Sequence, residues 1–145
     1  MKTLIDTCVI SELRTPRCDP IVREVMEQVD DRDIYLSVVS VGELVRGVGL
    51  LQPGRRRDEL DRWVREVESV QRARILPICP RVARVWGEVD ASAKSRGHTI
   101  PAPDGMIAAT ALHHDLPVMT RNTSHFHAAG VRVINPWEGG GILGP

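Results

Sequence analysis

Met1-Lys-Thr-Leu-Ile-Asp-Thr-Cys-Val-Ile-Ser-Glu-Leu13 decides the fold. The apolar run Thr3 to Ile5 leads directly into Asp6, after which Val9, Ile10 and Leu13 recur at helical spacing. The pattern predicts a strand that ends in a carboxylate, with Thr7 capping a short helix. In open α/β sheets, ligands bind outside the carboxyl ends of the strands. An acid at that point is placed for chemistry rather than for packing.

Outward from this unit the chain alternates. Thr15 to Pro20 carries two prolines and reads as a loop. Ile21, Val22, Val25, Met26 and Val29 then share one side of a helix. Asp30 to Asp33 is a polar turn, and the β-branched run Ile34 to Val39 is a strand. A helix from about Ser40 to Leu51 is stopped by Pro53-Gly54. A longer one, Arg55 to Arg74, repeats Leu60, Trp63, Val64, Val67 and Val70. Ile75 to Ile78 is a short strand that Pro77 assigns to an edge. Pro80 opens a helix that ends at Gly97, His98 to Pro103 is a loop, and an Ala-rich helix starts at Asp104. Leu116 to Thr120 and Val131 to Ile134 complete the strands. Strands alternating with helices predict an α/β fold with a mainly parallel sheet covered on both faces. Residues 1–138 read as one domain, and residues 139–145 as a flexible glycine-rich tail.

With 145 residues and 42% hydrophobic content, the chain is sized for a single core. The formal net charge is zero, and Lys2 and Lys94 are the only lysines, so nothing steers nucleic acid globally. The mixed-sign charges of the long helix read as a solvated face. Cys8, Cys18 and Cys79 form no CxxC pair, which implies a reducing compartment without disulfides. No signal-peptide pattern or membrane-length apolar run is present, so a soluble, cytoplasmic protein is expected.

Further polar groups fall beside the other strand ends. Glu43 lies in the first turns of the helix after the second strand, away from its apolar face, with Gly47 leaving space one turn later. Asp104 stands in line with Ile107, Ala108 and Ala111, so it points toward the body of the protein, and the helix N-terminus favours its charge. Asn122 and His125 follow the strand that ends at Thr120. Taken singly, Glu43 also fits a surface residue paired with Arg46, Asp104 an N-cap, and Asn122 or His125 a turn. Taken together, the three carboxylates line one edge of a parallel sheet. Like charges gathered there repel unless a cation neutralises them. Hard oxygen donors suit Mg²⁺ or Mn²⁺, which activate water and stabilise charge on phosphorus. The chemistry implied is metal-assisted hydrolysis of a phosphodiester.

Four segments carry a family resemblance: Leu4 to Arg14, Ser37 to Gly47, Asp104 to Ala109 and Thr120 to Phe126. In this order they resemble the motifs of PIN-domain ribonucleases, most closely the VapC or FitB-like toxins of VapBC-type toxin–antitoxin modules. The resemblance spans Thr3 to about Pro136. It implies a three-layer α/β/α sandwich, Mg²⁺ or Mn²⁺, RNA cleavage that inhibits translation and growth, a cognate VapB-type antitoxin and a toxin homodimer. By position, Asp6, Glu43 and Asp104 correspond to the metal-binding acids, with Asn122 as a further catalytic residue. Thr7 and Thr120 match hydroxyls close to the site. Cys8 stands where the family usually has Asn, and Asn122 and His125 where relatives often have Asp. A phosphoaspartyl phosphatase would need Asp-x-Asp after the first strand, and the five histidines contain no HExxH. The rival from another class is a PIN-like module that binds RNA or antitoxin with weak catalysis or none.

Overall fold

The structure, a computed structural model, describes residues 1–143. Five parallel strands form its centre: β1 (Thr3–Ile5), β2 (Ile34–Ser37), β3 (Ile75–Leu76), β4 (Val118–Met119) and β5 (Val133–Ile134). Their order is β3-β2-β1-β4-β5, and β6 (Ile142–Leu143) adds an antiparallel edge beyond β5. Tail residues Ile142 and Leu143 are thus taken up by the sheet, whereas Gly144 and Pro145 lie outside the described residues.

The strands face two ways because their side chains alternate. Leu4, Val118 and Val133 enter one core, where α5 (Pro80–Ser95), α6 (Ala102–His113) and α7 (Thr123–Ala128) cover the sheet. Ile5, Met119 and Ile134 enter the other, with α1 (Thr7–Arg14), α2 (Pro20–Glu27), α3 (Val38–Gly49) and α4 (Arg55–Val70). The three-layer α/β/α sandwich follows directly from this alternation. Among the described residues, no helix is long and apolar enough to cross a membrane.

Several boundaries differ from the sequence expectation for local reasons. Val38 and Val39 open α3 rather than extend β2, since the Ser37 hydroxyl accepts the Val39 amide and caps the helix. The Arg55–Arg74 segment breaks after Val70 into a 3-10 turn at Arg72–Arg74. Ala102 and Pro103 already belong to α6, which places Asp104 third in that helix and excludes it as the N-cap. The six-residue α7 was not anticipated at all.

β1 sits between β2 and β4, so the chain leaves it in opposite directions on its two sides. That is a topological switch point, and open α/β sheets bind ligands beyond the carboxyl ends of the strands there, here β1 and β4. Asp6 and Thr120 are the residues that immediately follow those strands.

Candidate metal and active site

Asp6, not Thr7, caps α1. Its Oδ1 accepts the Thr7 amide at 2.7 Å, and its Oδ2 accepts the Thr120 hydroxyl at 2.7 Å. The Cys8 thiol adds a weaker contact to Oδ2 at 3.6 Å. Asp6 as a whole is only 2% exposed. Burial pushes its pKa above the ordinary range against the Thr120 bond, and the charge of Asp104 pushes it further up. Burial, together with the charge of Asp6, also raises the Cys8 thiol, which keeps it protonated and a donor.

Thr7 links the first acid to the second. Its hydroxyl is 2.7 Å from Glu43 Oε1 and 2.9 Å from the hydroxyl of buried Ser40. One proton serves one bond, so Thr7 donates to the carboxylate and Ser40 completes the chain. Glu43 is half-buried, consistent with its position off the apolar face of α3. A Cβ added at Gly47 would meet nothing within 4 Å, so the space expected one turn beyond Glu43 is open.

Asp104 comes in from α6, and its Oδ2 lies 2.6 Å from His125 Nδ1. The adjacent Gly105 lets α6 approach α5: an added Cβ would lie 2.9 Å from Trp86 Nε1 and 3.0 Å from Trp86 Cδ1. Gly105→Ala should therefore destabilise the fold by about 1–3 kcal/mol through overpacking. Helix propensity alone would give a gain of roughly 1 kcal/mol. Thermal melting separates the two, since the close approach requires a lower Tm.

The four sequence-predicted positions are not equally engaged. Thr7 joins Asp6 to Glu43, and the charge of Asp104 is felt at Asp6. Asn122 is exposed at the start of α7; its amide donates to the Thr120 hydroxyl, and its side chain joins none of these bonds. His125 instead reaches Asp104. Sequence reasoning left the choice between them open because α7 has one fully buried apolar residue, Phe126, and no visible periodicity. Thr120 is wholly buried and ties β4 to Asp6.

Among the described residues, no three His, Cys, Asp or Glu side chains already form a cage for an ion. The donors nevertheless suit a hard divalent cation. Mg²⁺ takes one or two carboxylates and keeps its waters, and the mutual repulsion of Asp6 and Asp104 is what such an ion relieves. The network offers mainly carboxylate and hydroxyl oxygens with a single thiol, unlike the Cys and His sets of structural zinc sites. A groove of about 810 Å³ lies elsewhere, between α1, α2 and α4; Ile10, Met26, Trp63 and Val67 line it, and none of the site acids does.

A model of the PIN domain family matches residues 3–131. Toxin FitB of Neisseria gonorrhoeae is 41% identical over 136 residues, covering 93% of this chain and 98% of that protein. VapC ribonuclease Y4jK of Sinorhizobium fredii is 39% identical, covering 93% and 97%. A solved structure of FitAB bound to a DNA fragment superposes with a TM-score of 0.88 at 38% identity, covering 93% of this chain and 95% of the other. The chain therefore belongs to the PIN-domain family, in the group whose relatives are named toxin FitB and VapC ribonuclease.

Proposed function

We propose that this protein is the ribonuclease toxin of a VapBC-type toxin–antitoxin pair and that it hydrolyses RNA phosphodiester bonds with Mg²⁺ or Mn²⁺. The observation that carries the reading is the pair of acids Asp6 and Glu43 joined through Thr7 beside the β1/β4 switch point, with the charge of Asp104, itself held by His125, felt at Asp6. The relatives' names, toxin and ribonuclease, support the same reading. Growth inhibition then follows from RNA cutting, with a cognate antitoxin as the restraining partner and a homodimer as the expected toxin assembly. The groove between α1, α2 and α4 has the apolar lining that suits an amphipathic partner segment.

The ion would be held by Asp6 and Asp104, with Glu43 reached through the Thr7 link. When bound, it supplies an activated water and charge stabilisation at the phosphorus. The chain's own residues do the rest. Thr120 and the Thr7 amide fix the Asp6 carboxylate, so it does not rotate out of line. Thr7 fixes Glu43, and His125 fixes Asp104. Burial of Asp6 keeps bulk water from screening the charges there.

Asp104→Asn keeps the shape and removes one charge. Cleavage of RNA by the purified variant should fall by at least about 100-fold, since even substitutions behind the ligands cost roughly 10–100-fold. RNA retained by the unmodified protein without cleavage in either metal would instead favour the non-cutting binding module.

A further inference from the structure

The carboxylates of this site repel the backbone they are proposed to cut, and a metal ion answers only for the phosphate it touches. Flanking phosphates need a fixed positive group beside the acids. Several arginines are committed along helix faces, such as Arg55 to Glu59 at 3.0 Å and Arg65 to Asp61 at 2.9 Å. Arg121 is not. It is exposed, and among the described residues its guanidinium makes no ion pair or hydrogen bond; its Cζ lies 5.0 Å from the centre of the Trp137 ring.

That ring is a fixed platform. Trp137 packs on the core that holds Ile5, Val9 and Ile10, and its amide donates to Asn135 Oδ1 at 3.0 Å. Arg121 also starts from a fixed point. It directly follows Thr120, whose hydroxyl donates to Asp6. A planar guanidinium stacked on an aromatic face still presents its N–H edge, which matches phosphate oxygens in pairs. The other stacked arginine, Arg14 over Trp63 at 5.9 Å, lines the groove between α1, α2 and α4, away from the acids.

We propose that Arg121, stacked on Trp137, grips a phosphate of the RNA strand next to the scissile bond, with Trp137 as its positioning residue. The assignment rests on the RNA-cutting reading and extends it to how substrate is held. It makes Arg121 a substrate-binding residue whose removal weakens binding and leaves the chemical step intact.

The experiment uses the full chain carrying Asp6→Asn, which prevents cutting. Binding of a short fluorescein-labelled oligouridine is followed by anisotropy across a salt series. Adding Arg121→Gln should raise Kd about tenfold and flatten the dependence of log Kd on log salt by about 0.7, the loss of one phosphate contact on a single strand. Arg121→Lys should keep the salt dependence. Trp137→Phe, with charge intact and a weaker platform, should raise Kd without changing the slope. In the cutting-competent protein, Arg121→Gln should raise KM and leave kcat within about twofold, a split that loss of structure would not give. Unchanged Kd and slope in Arg121→Gln, with firm binding by the Asp6→Asn parent, would overturn the Arg121 assignment alone. No binding by that parent in any salt would overturn the RNA reading and the assignment with it.

Discussion

Asp6→Asn should abolish RNA cutting, with a loss well beyond about 100-fold, and leave the metal-free protein as stable as before or more so. The two halves of this result have one cause. Asp6 is the acid nearest the switch point, and its charge is what an ion would bind; yet burial and the charge of Asp104 make that same charge costly without the ion. The folded-state pKa lies above the ordinary value of 3.8, so the folded state holds this proton more tightly than the unfolded chain. As pH rises from near 4 through the raised pKa, Asp6 therefore subtracts from stability. The advantage of Asp6→Asn over the parent should appear across that window and persist above it. Mg²⁺ or Mn²⁺ at about 100 times its Kd should stabilise the parent by roughly 2.7 kcal/mol and the variant by much less. Melting curves with and without metal, over a pH series, check all three statements. A variant that melts well below the metal-free parent would show that Asp6 is chiefly a structural cap.

Phe126→Ala should produce the largest loss of stability. Phe126 is wholly buried in α7 among Leu4, Ile107, Val131 and Val133, and it is the main apolar anchor of that short helix. Large-to-small changes of this kind cost about 3–5 kcal/mol. In a domain of this size each kcal/mol moves Tm by roughly 2–4 °C, so a fall of about 10 °C is expected. His125 precedes Phe126 on α7 and touches Asp104, so cutting should weaken at temperatures where the variant is still folded. His125→Ala offers the comparison: it should lower activity with little change in Tm, because its ring is partly exposed. Equal melting of Phe126→Ala and the parent would mean that α7 is held by something other than this side chain.

The parts of the fold that the sequence announced are those with a strong period. Leu4 and Ile5 point to opposite cores, as the alternation of a central strand requires, and Val25 and Met26 of α2 and Trp63, Val64 and Val67 of α4 face the core as their spacing put them, while Ile21 and Val70 at the helix ends are exposed. The misplaced boundaries came from capping bonds that propensity does not register. Val38 and Val39 look like strand residues until the Ser37 hydroxyl takes the Val39 amide. Asp6 rather than Thr7 is the cap because its Oδ1 accepts the Thr7 amide, while its Oδ2 receives the Thr120 hydroxyl from 114 residues away. Such a contact exists only once β1 and β4 are neighbours.

The placement of the candidate acids Asp6, Glu43 and Asp104 was legible because each stands beside a strand end or in the opening turns of a helix. The fourth position was not. Asn122 and His125 are three residues apart, and the choice between them depends on a helix of six residues whose period is too short to read. Once α7 is formed, His125 turns toward Asp104 and Asn122 stays at the surface. The order of the four motifs was more informative than any one of them, since the parallel topology brings all their elements to one edge of the sheet.

The most direct measurement is cleavage of RNA by the purified protein, freed of any partner and stripped of metal, before and after Mg²⁺ or Mn²⁺ is returned. The expected result is intact RNA in EDTA and cut RNA with either ion, with Asp6→Asn inactive in both. Cutting that continues undiminished in EDTA, or that survives Asp6→Asn, would contradict the assignment of these acids as a metal site.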